Sequence, residues 1–156
     1  MRRLMQCSAV LLLSAAAGGC GSKDGPVSVY PVTGQVIYDG KPAAGVEVVF
    51  FPTTAPTRPV IPNSPHAVTD ADGRFTLGTY DTADGAPEGG YMVILTWPQK
   101  SSEEDESPPD RLFEWYGIRN TKLTYDVKAG DNTIPPYKLP AVYGPPPVSE
   151  GIPGRN

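Results

Sequence analysis

The feature that most constrains this chain is the alternation of short β-branched or aromatic runs with turns that contain glycine or proline. Val32–Tyr38 is followed by Asp39-Gly40, a pair favoured in type I′ hairpin turns because both central residues need positive φ. Gly90–Trp97 is apolar on both faces, which predicts a central strand. No stretch shows a sustained helical period. The pattern therefore predicts one all-β domain, a β-sandwich of about seven short strands.

Further segments give specific predictions of strand position and partner. In Val46–Pro52, the alternate residues that begin with Val46 are predicted to face the core. Arg74–Tyr80 is predicted as one strand. Leu123–Val127 and Asn132–Ile134 are predicted as the two strands of a last hairpin. Residues 108–120 are predicted to form a short turn of helix or an extended crossing.

The beginning of the chain has the pattern of a signal peptide, which we assign to residues 1–19. Arg2 and Arg3 precede an apolar stretch that is well short of the ~20 residues needed to span a bilayer as a helix. Because an exported chain passes into the cell envelope or beyond it, this leader predicts an extracytoplasmic location.

The leader ends in Ala17-Gly18-Gly19-Cys20, which resembles the lipobox of bacterial lipoproteins. In those proteins the cysteine thiol receives diacylglycerol and becomes the new N-terminus. The resemblance implies lipidation of Cys20, palmitate-type acyl chains and a membrane anchor, with residues 20–31 as the lipidated N-terminus and tether. The alternative is an ordinary secretory signal in which Cys20 is incidental. Cys7 lies in the leader, so the mature chain has one cysteine and no internal disulfide.

The charge and the end of the chain exclude some classes of partner. Without Arg2 and Arg3, the mature chain has 11 basic and 17 acidic side chains, a formal charge of −6. An acidic domain repels phosphate backbones, so nucleic-acid binding is not expected. Residues 140–156 are rich in proline and glycine and are predicted to be a disordered tail.

The order of several short motifs adds a family resemblance. The motifs lie in Thr33–Pro42, Gly45–Phe50, Thr69–Phe75, Pro87–Val93 and Leu123–Asn132. Together they resemble the carboxypeptidase regulatory-like domain, and especially small lipoproteins of that type from planctomycete-like bacteria. The resemblance spans about residues 30–139, and we assign the domain to residues 32–139. It implies a transthyretin-like Greek-key sandwich that is usually non-catalytic.

Residue types with catalytic or metal-binding chemistry are sparse. His66 is the only histidine, so the chain has no histidine cluster for zinc or a proton relay, and we read it as an exposed loop residue. Asp70-Ala71-Asp72-Gly73 superficially resembles a calcium loop but is better interpreted as a tight turn. The acidic run Glu103–Glu106 is interpreted as a solvated loop, although it could attract a basic partner. We predict no catalytic residue, metal or cofactor.

Three aromatic residues form the remaining candidate site: Phe113, Trp115 and Tyr116. Exposed aromatics suit stacking on carbohydrate or contact with a protein. The alternative is that they cover one open end of the sandwich. The leading hypothesis is a non-catalytic cell-envelope lipoprotein that displays a binding or structural module. The second hypothesis is a carbohydrate- or peptide-binding accessory protein that uses Trp115 and Tyr116, with an envelope protein or glycan as partner.

Overall fold

The computed structural model describes residues 26–54, 64–99 and 108–147. In these ranges the chain forms eleven strands and no helix, and therefore no helix that could cross a membrane. The strands are β1 (Val29–Tyr30), β2 (Val32–Tyr38), β3 (Lys41–Pro42), β4 (Glu47–Pro52), β5 (His66–Val68), β6 (Arg74–Thr76), β7 (Ala86–Pro87), β8 (Gly89–Thr96), β9 (Thr124–Val127), β10 (Asn132–Thr133) and β11 (Tyr137–Leu139). The all-β prediction is confirmed.

Two sheets form the sandwich. In the first sheet β2 is central, with β10 and β11 parallel to it on one side and β3 and β6 antiparallel to it on the other. The second sheet is antiparallel and has the order β5-β4-β8-β9. A short antiparallel ribbon of β1 and β7 stands beside them. The Greek-key connectivity implied by the family resemblance stays a prediction.

One core fills the space between the sheets. The predicted inward face of β4 is confirmed, because Val46, Val48 and Phe50 are fully buried. They meet Val32 and Val36 from β2, which are also fully buried. Each such side chain contributes roughly 1.5–3 kcal/mol of hydrophobic stabilisation. β8 is central as predicted, and its inward residues complete the core.

The turns follow local residue chemistry. Asp39 has a φ of 48° and Gly40 a φ of 75°, and β2 pairs with β3 across them. The positive φ values predicted for both residues are therefore confirmed. At the next turn, Asp70 Oδ1 accepts hydrogen bonds from the backbone N–H groups of Asp72 and Arg74. The carboxylate thus closes the turn, as the structural interpretation of this motif predicted.

Two strand predictions were wrong. Leu123–Val127 and Asn132–Ile134 do not form a hairpin, because β9 pairs with β8 in one sheet and β10 pairs with β2 in the other. Asn132 fixes this crossing: Oδ1 accepts from Lys128 N–H, and Nδ2 donates to the carbonyls of Lys128 and Gly130. The strand predicted for Arg74–Tyr80 ends at Thr76.

The chain changes its pairing partner where β6 ends. Leu77 N–H still donates to the Val32 carbonyl, and Gly78 then exchanges backbone hydrogen bonds with His66 on β5. Beyond this point Asp84 accepts hydrogen bonds from the backbone N–H groups of Thr79, Tyr80 and Asp81. The predicted alternation is confirmed from Arg74 to Leu77. Thr79 is buried as predicted, but Gly78, predicted on the opposite face, is buried as well.

Both ends of the folded body extend beyond the predicted boundaries. Val29–Tyr30 lies in the range predicted as tether, yet it pairs with Ala86–Pro87. At the other end, residues 140–147 lie in the range predicted as a disordered tail, yet they contact the domain through Tyr38 and Trp115. The sequence pattern missed both because neither segment has enough apolar residues to indicate burial.

Candidate functional site

Residues 108–120, here called the end cap, close one end of the sandwich. The segment follows the edge of β8 beyond the point where β9 stops. Leu95 N–H donates to the Tyr116 carbonyl, and Arg111 N–H donates to the Trp97 carbonyl. Edge strands with unpaired backbone groups invite aggregation, so this pairing protects β8. The cap is a series of turns, neither of the two forms predicted for it.

Asp110 holds the end cap in shape. One carboxylate oxygen accepts hydrogen bonds from Trp97 N–H at 2.8 Å and Leu112 N–H at 2.9 Å. The other accepts from Glu114 N–H at 2.9 Å. Leu112 is fully buried and anchors the segment to the core. Asp110 therefore serves a structural role, with its lone pairs directed at the backbone.

The backbone of the cap is strained where it presents its aromatic side chains. Phe113 and Glu114 have φ values of 50° and 61°, in the left-handed region that favours glycine. Each such non-glycine residue costs roughly 1 kcal/mol. In the same segment Phe113 and Trp115 reach the surface, with 41% and 36% of their areas exposed. Strain of this kind clusters at functional sites.

Trp115 and Tyr116 serve different purposes. Tyr116 is half-buried and packs against the core, and this burial raises the pKa of its hydroxyl. It belongs to the cover of the open end. Trp115 faces outward, and its Nε1–H donates to the Gly144 carbonyl at 2.7 Å. Both residues line a cavity of about 500 Å³, whose other wall is formed by residues 140–145.

Residues 140–147, here called the strap, form a part of this site that the sequence did not reveal. Tyr38 Oη accepts a hydrogen bond from Val142 N–H at 2.9 Å and lies 3.3 Å from the Val142 carbonyl oxygen, to which it donates. Tyr38 is in turn fixed by Trp97, whose ring meets it edge-on with centroids 5.3 Å apart. The strap is therefore held at two points by aromatic side chains, Tyr38 and Trp115.

A second cavity of about 640 Å³ lies where prolines 145–147 meet the end cap. Phe113 and Glu114 line it together with Arg119 and Asn120. A ring beside a guanidinium, an amide and a carboxylate can stack on a ligand and hydrogen-bond its polar groups. Arg119 and Asn120 were missed in the sequence because nothing in their spacing distinguishes them from ordinary surface residues.

The other candidate residues lie away from this site. His66 is exposed on the edge strand β5, with Nδ1 at 3.1 Å from the Ser64 carbonyl oxygen. Across residues 26–54, 64–99 and 108–147, no three histidine, cysteine, aspartate or glutamate side chains come together as a metal site. Cys20 and the run Glu103–Glu106 lie outside the described residues, so the predictions for them stay predictions.

The end cap and the chain entry lie at opposite ends of the sandwich. β1 pairs with β7 immediately before β8 begins at Gly89, and β8 runs to the cap at Trp97. β2 runs in the same sense, from Val32 next to β1 to Tyr38 at the strap. Eight residue steps of about 3.3 Å place the two ends about 25 Å apart.

Comparisons with known proteins do not identify the chain. No protein-family model matches it, and no curated protein matches its sequence. Among solved structures, the major pilin subunit of Bacillus cereus aligns with a TM-score of 0.43 and 14% identity over 72% of this chain. A dioxygenase domain of a dioxygenase–carbohydrate-binding protein fusion from Streptomyces sp. SirexAA-E aligns with a TM-score of 0.41 and 18% identity over 78% of this chain and 84% of that one.

A DUF3823 family protein from Bacteroides ovatus aligns with a TM-score of 0.32 and 16% identity over 71% of this chain. The chain spans only 30% of the pilin and 42% of the DUF3823 protein. Scores this low assign neither a family nor a function. The resemblance to the carboxypeptidase regulatory-like domain therefore stays a prediction, while the all-β sandwich itself is established by the strands and sheets.

Proposed function

We propose that the chain is a non-catalytic lipoprotein of the cell envelope, anchored through Cys20, that displays its end cap away from the membrane. The observation that carries this proposal is the polarity of the sandwich. The chain enters the fold at residues 26–30, and the cap with its exposed aromatics lies about 25 Å away at the far end of β8. A module anchored at one end and functional at the other requires this arrangement.

The length of the tether fits the same proposal. Residues 20–25 add at most about 20 Å when fully extended. A tether this short keeps the base of the sandwich near the lipid surface, and the cap then extends into the space beyond. Acyl chains on Cys20 would give attachment of about 0.8 kcal/mol for each buried methylene.

The use of the polar side chains supports a non-catalytic role. Asp84 and Asp110 each direct their carboxylates at three backbone N–H groups. The buried hydroxyls of Thr69 and Thr121 likewise bond backbone groups, the carbonyls of Ala43 and Val93. These groups hold turns and strand edges in place, which is the work of a scaffold.

The anchor is tested by the intact mass of the mature protein from its native membrane, beside a Cys20→Ala variant. We expect a chain that starts at residue 20 and carries added acyl mass, and a variant that lacks this mass. A bare peptide mass in both proteins would refute the anchor. The non-catalytic scaffold would then remain as a freely secreted module.

The orientation is tested with the lipidated protein in vesicles that contain a headgroup quencher. A fluorophore is attached to Ser28→Cys at the base or to Ile118→Cys at the cap, both at exposed positions. We expect strong quenching at position 28 and weak quenching at position 118. Equal quenching at both positions would contradict a cap displayed away from the membrane.

A second candidate function is carbohydrate or peptide binding by the end cap. It is favoured by the exposed rings of Phe113 and Trp115, each of which lines a cavity, and the cavity beside Phe113 is also lined by Arg119 and Asn120. Binding to a glycan array should be lost in Trp115→Ala. It should persist in Phe51→Ala, a matched control because Phe51 is 42% exposed on β4, outside the lining of both cavities. Binding that survives Trp115→Ala would remove this surface from consideration.

A further inference from the structure

The strap is held by an aromatic clamp, defined as Tyr38 and Trp115. The side-chain hydrogen bonds of the clamp all join strap backbone atoms: the N–H and carbonyl of Val142 and the carbonyl of Gly144. The side chain of Tyr143, between them, is 92% exposed. The clamp therefore contacts the strap through its backbone, and the side chain between the two contacts stays in solvent.

Proline-rich chain suits such a clamp. Proline favours an extended conformation whose carbonyls stay free to accept hydrogen bonds, and aromatic side chains with an N–H or O–H donor are the groups that commonly bind it. Four of the eight strap residues are proline: Pro140 and the run at 145–147. The cavity of about 500 Å³ beside Trp115 and Tyr116 leaves room for an incoming chain to approach the clamp.

The strap can leave the clamp without disturbing the fold. β11 ends at Leu139, so the strap adds no strand to either sheet. The buried core contains no residue from 140–147. The strap also follows the last strand, so its release requires no other element to move.

We propose that the aromatic clamp is a recognition site for extended proline-rich chain, and that the strap of a second copy of this protein occupies it in trans. The clamp and the segment that fits it are present in every copy, so two copies exchange straps reciprocally. The proposal identifies the partner of the end cap and rests on the proposed display role. Copies anchored in one membrane with their caps raised have a high effective concentration of straps at the clamps.

The first experiment adds a synthetic peptide of residues 140–147 to the full chain and follows the indole N–H resonance of Trp115 by NMR. The indole N–H of Trp97 is bonded to the Ala44 carbonyl inside the same chain, so its resonance should shift less than that of Trp115. The unaltered chain should bind weakly, since its own strap competes. Val142→Pro removes the N–H that donates to Tyr38, so the loss of one hydrogen bond should tighten apparent peptide binding by up to about fivefold.

Two variants and one peptide serve as matched controls. Trp115→Phe keeps an aromatic ring but removes the indole donor, and Tyr38→Phe removes the hydroxyl. Both changes are made in the Val142→Pro background, where the chain's own strap competes less, and peptide binding followed through amide resonances should weaken there. A peptide in which prolines 145–147 are replaced by serine should bind more weakly than the native sequence. Equal binding of both peptides, or unchanged binding by both variants, would overturn the proposed recognition.

The second experiment measures the oligomeric state of the full chain by sedimentation. We expect a dimer that increases with concentration and dissociates when excess peptide is added. Peptide binding without any dimer would overturn the second copy as the occupant and leave the clamp for a proline-rich segment of another protein. Neither result affects the mass of acylated Cys20 or the vesicle quenching, so failure of this inference is distinguishable from failure of the proposed function.

Discussion

Tyr137→Phe should stabilise the protein, although Tyr137 lies in the packed part of the fold. The Tyr137 ring stacks on Phe75 with centroids 6.5 Å apart and planes 1° from parallel. Its hydroxyl is buried, and among the described residues it has no hydrogen-bond partner. A buried hydroxyl without a partner costs roughly 1–3 kcal/mol of desolvation. Removing the oxygen keeps the stacked ring, so we expect the free energy of unfolding to rise by about 1 kcal/mol or more.

Tyr91→Phe is the matched control, because it makes the same change at a hydroxyl that has a partner. Tyr91 is 3% exposed, and its hydroxyl donates to the Pro87 carbonyl at 2.9 Å. Loss of this bond should lower the free energy of unfolding by roughly 0.5–1.5 kcal/mol. The two variants therefore have opposite expected signs for an identical chemical change.

The assay is equilibrium denaturation in urea of both variants and the unaltered chain, followed by circular dichroism. The midpoints should move in opposite directions at constant slope, and the melting temperatures should differ by several degrees for each kcal/mol. If Tyr137→Phe destabilises the protein as much as Tyr91→Phe, the Tyr137 hydroxyl has a partner and the reasoning is refuted.

Three further predictions concern pH, a turn and the cap. Burial raises the pKa of Tyr91 from 10.0 to about 12. As the pH rises, the unfolded chain loses this proton before the folded chain does, so the free energy of unfolding should fall by about 2 kcal/mol between pH 10 and 12. Tyr91→Phe should reduce that fall in a series of denaturation curves at alkaline pH. Gly73→Ala should destabilise far more than Gly40→Ala, because both have positive φ but only at Gly73 would the added Cβ collide with the Val36 carbonyl; equal melting temperatures would contradict this. Asp110→Ala should lower the free energy of unfolding by about 2 kcal/mol or more, because it leaves three backbone N–H groups without their acceptor. An unchanged midpoint in urea would show that other contacts hold the end cap.

Features that depend on near neighbours in the chain were predictable from the sequence. The turn at Asp39-Gly40 needs two residues that tolerate positive φ, and both have it. The inward face that begins at Val46 follows from the two-residue period of a strand, and it is fully buried at Val48 and Phe50. In each case the information lies within a few residues, so tertiary context has little to override.

Features that depend on distant partners were not predictable. The turn that contains Gly130 resembles a hairpin turn locally, but the strands on either side of it belong to different sheets. The Asn132 side chain donates a hydrogen bond to the Gly130 carbonyl within the loop, and β10 then pairs in parallel with β2. The strap was predicted as disordered because its composition gives no apolar period. The strap is held by Tyr38, 104 residues away in the sequence, and by Trp115, 29 residues away.

Several residues in the motifs that carry the family resemblance have structural roles in the fold. Gly34, in the first motif, leaves room for the Phe75 ring on the neighbouring strand. A Cβ added at Gly34 would lie only 2.5 Å from a ring carbon of Phe75. Asp70, in the third motif, closes its own turn, and Asn132, at the end of the last, fixes the crossing between sheets. Such residues specify how the chain folds and have little capacity left for a ligand.

Any function particular to this chain is therefore expected outside those motifs. The end cap at residues 108–120 and the strap at residues 140–147 both lie outside them. They contact each other through Trp115 and Gly144 and together line the cavities beside Phe113 and Trp115. Phe113 and Glu114 also adopt left-handed backbone conformations, and neither residue belongs to the buried core. The sandwich supplies the base, and we propose that recognition takes place where the end cap and the strap meet.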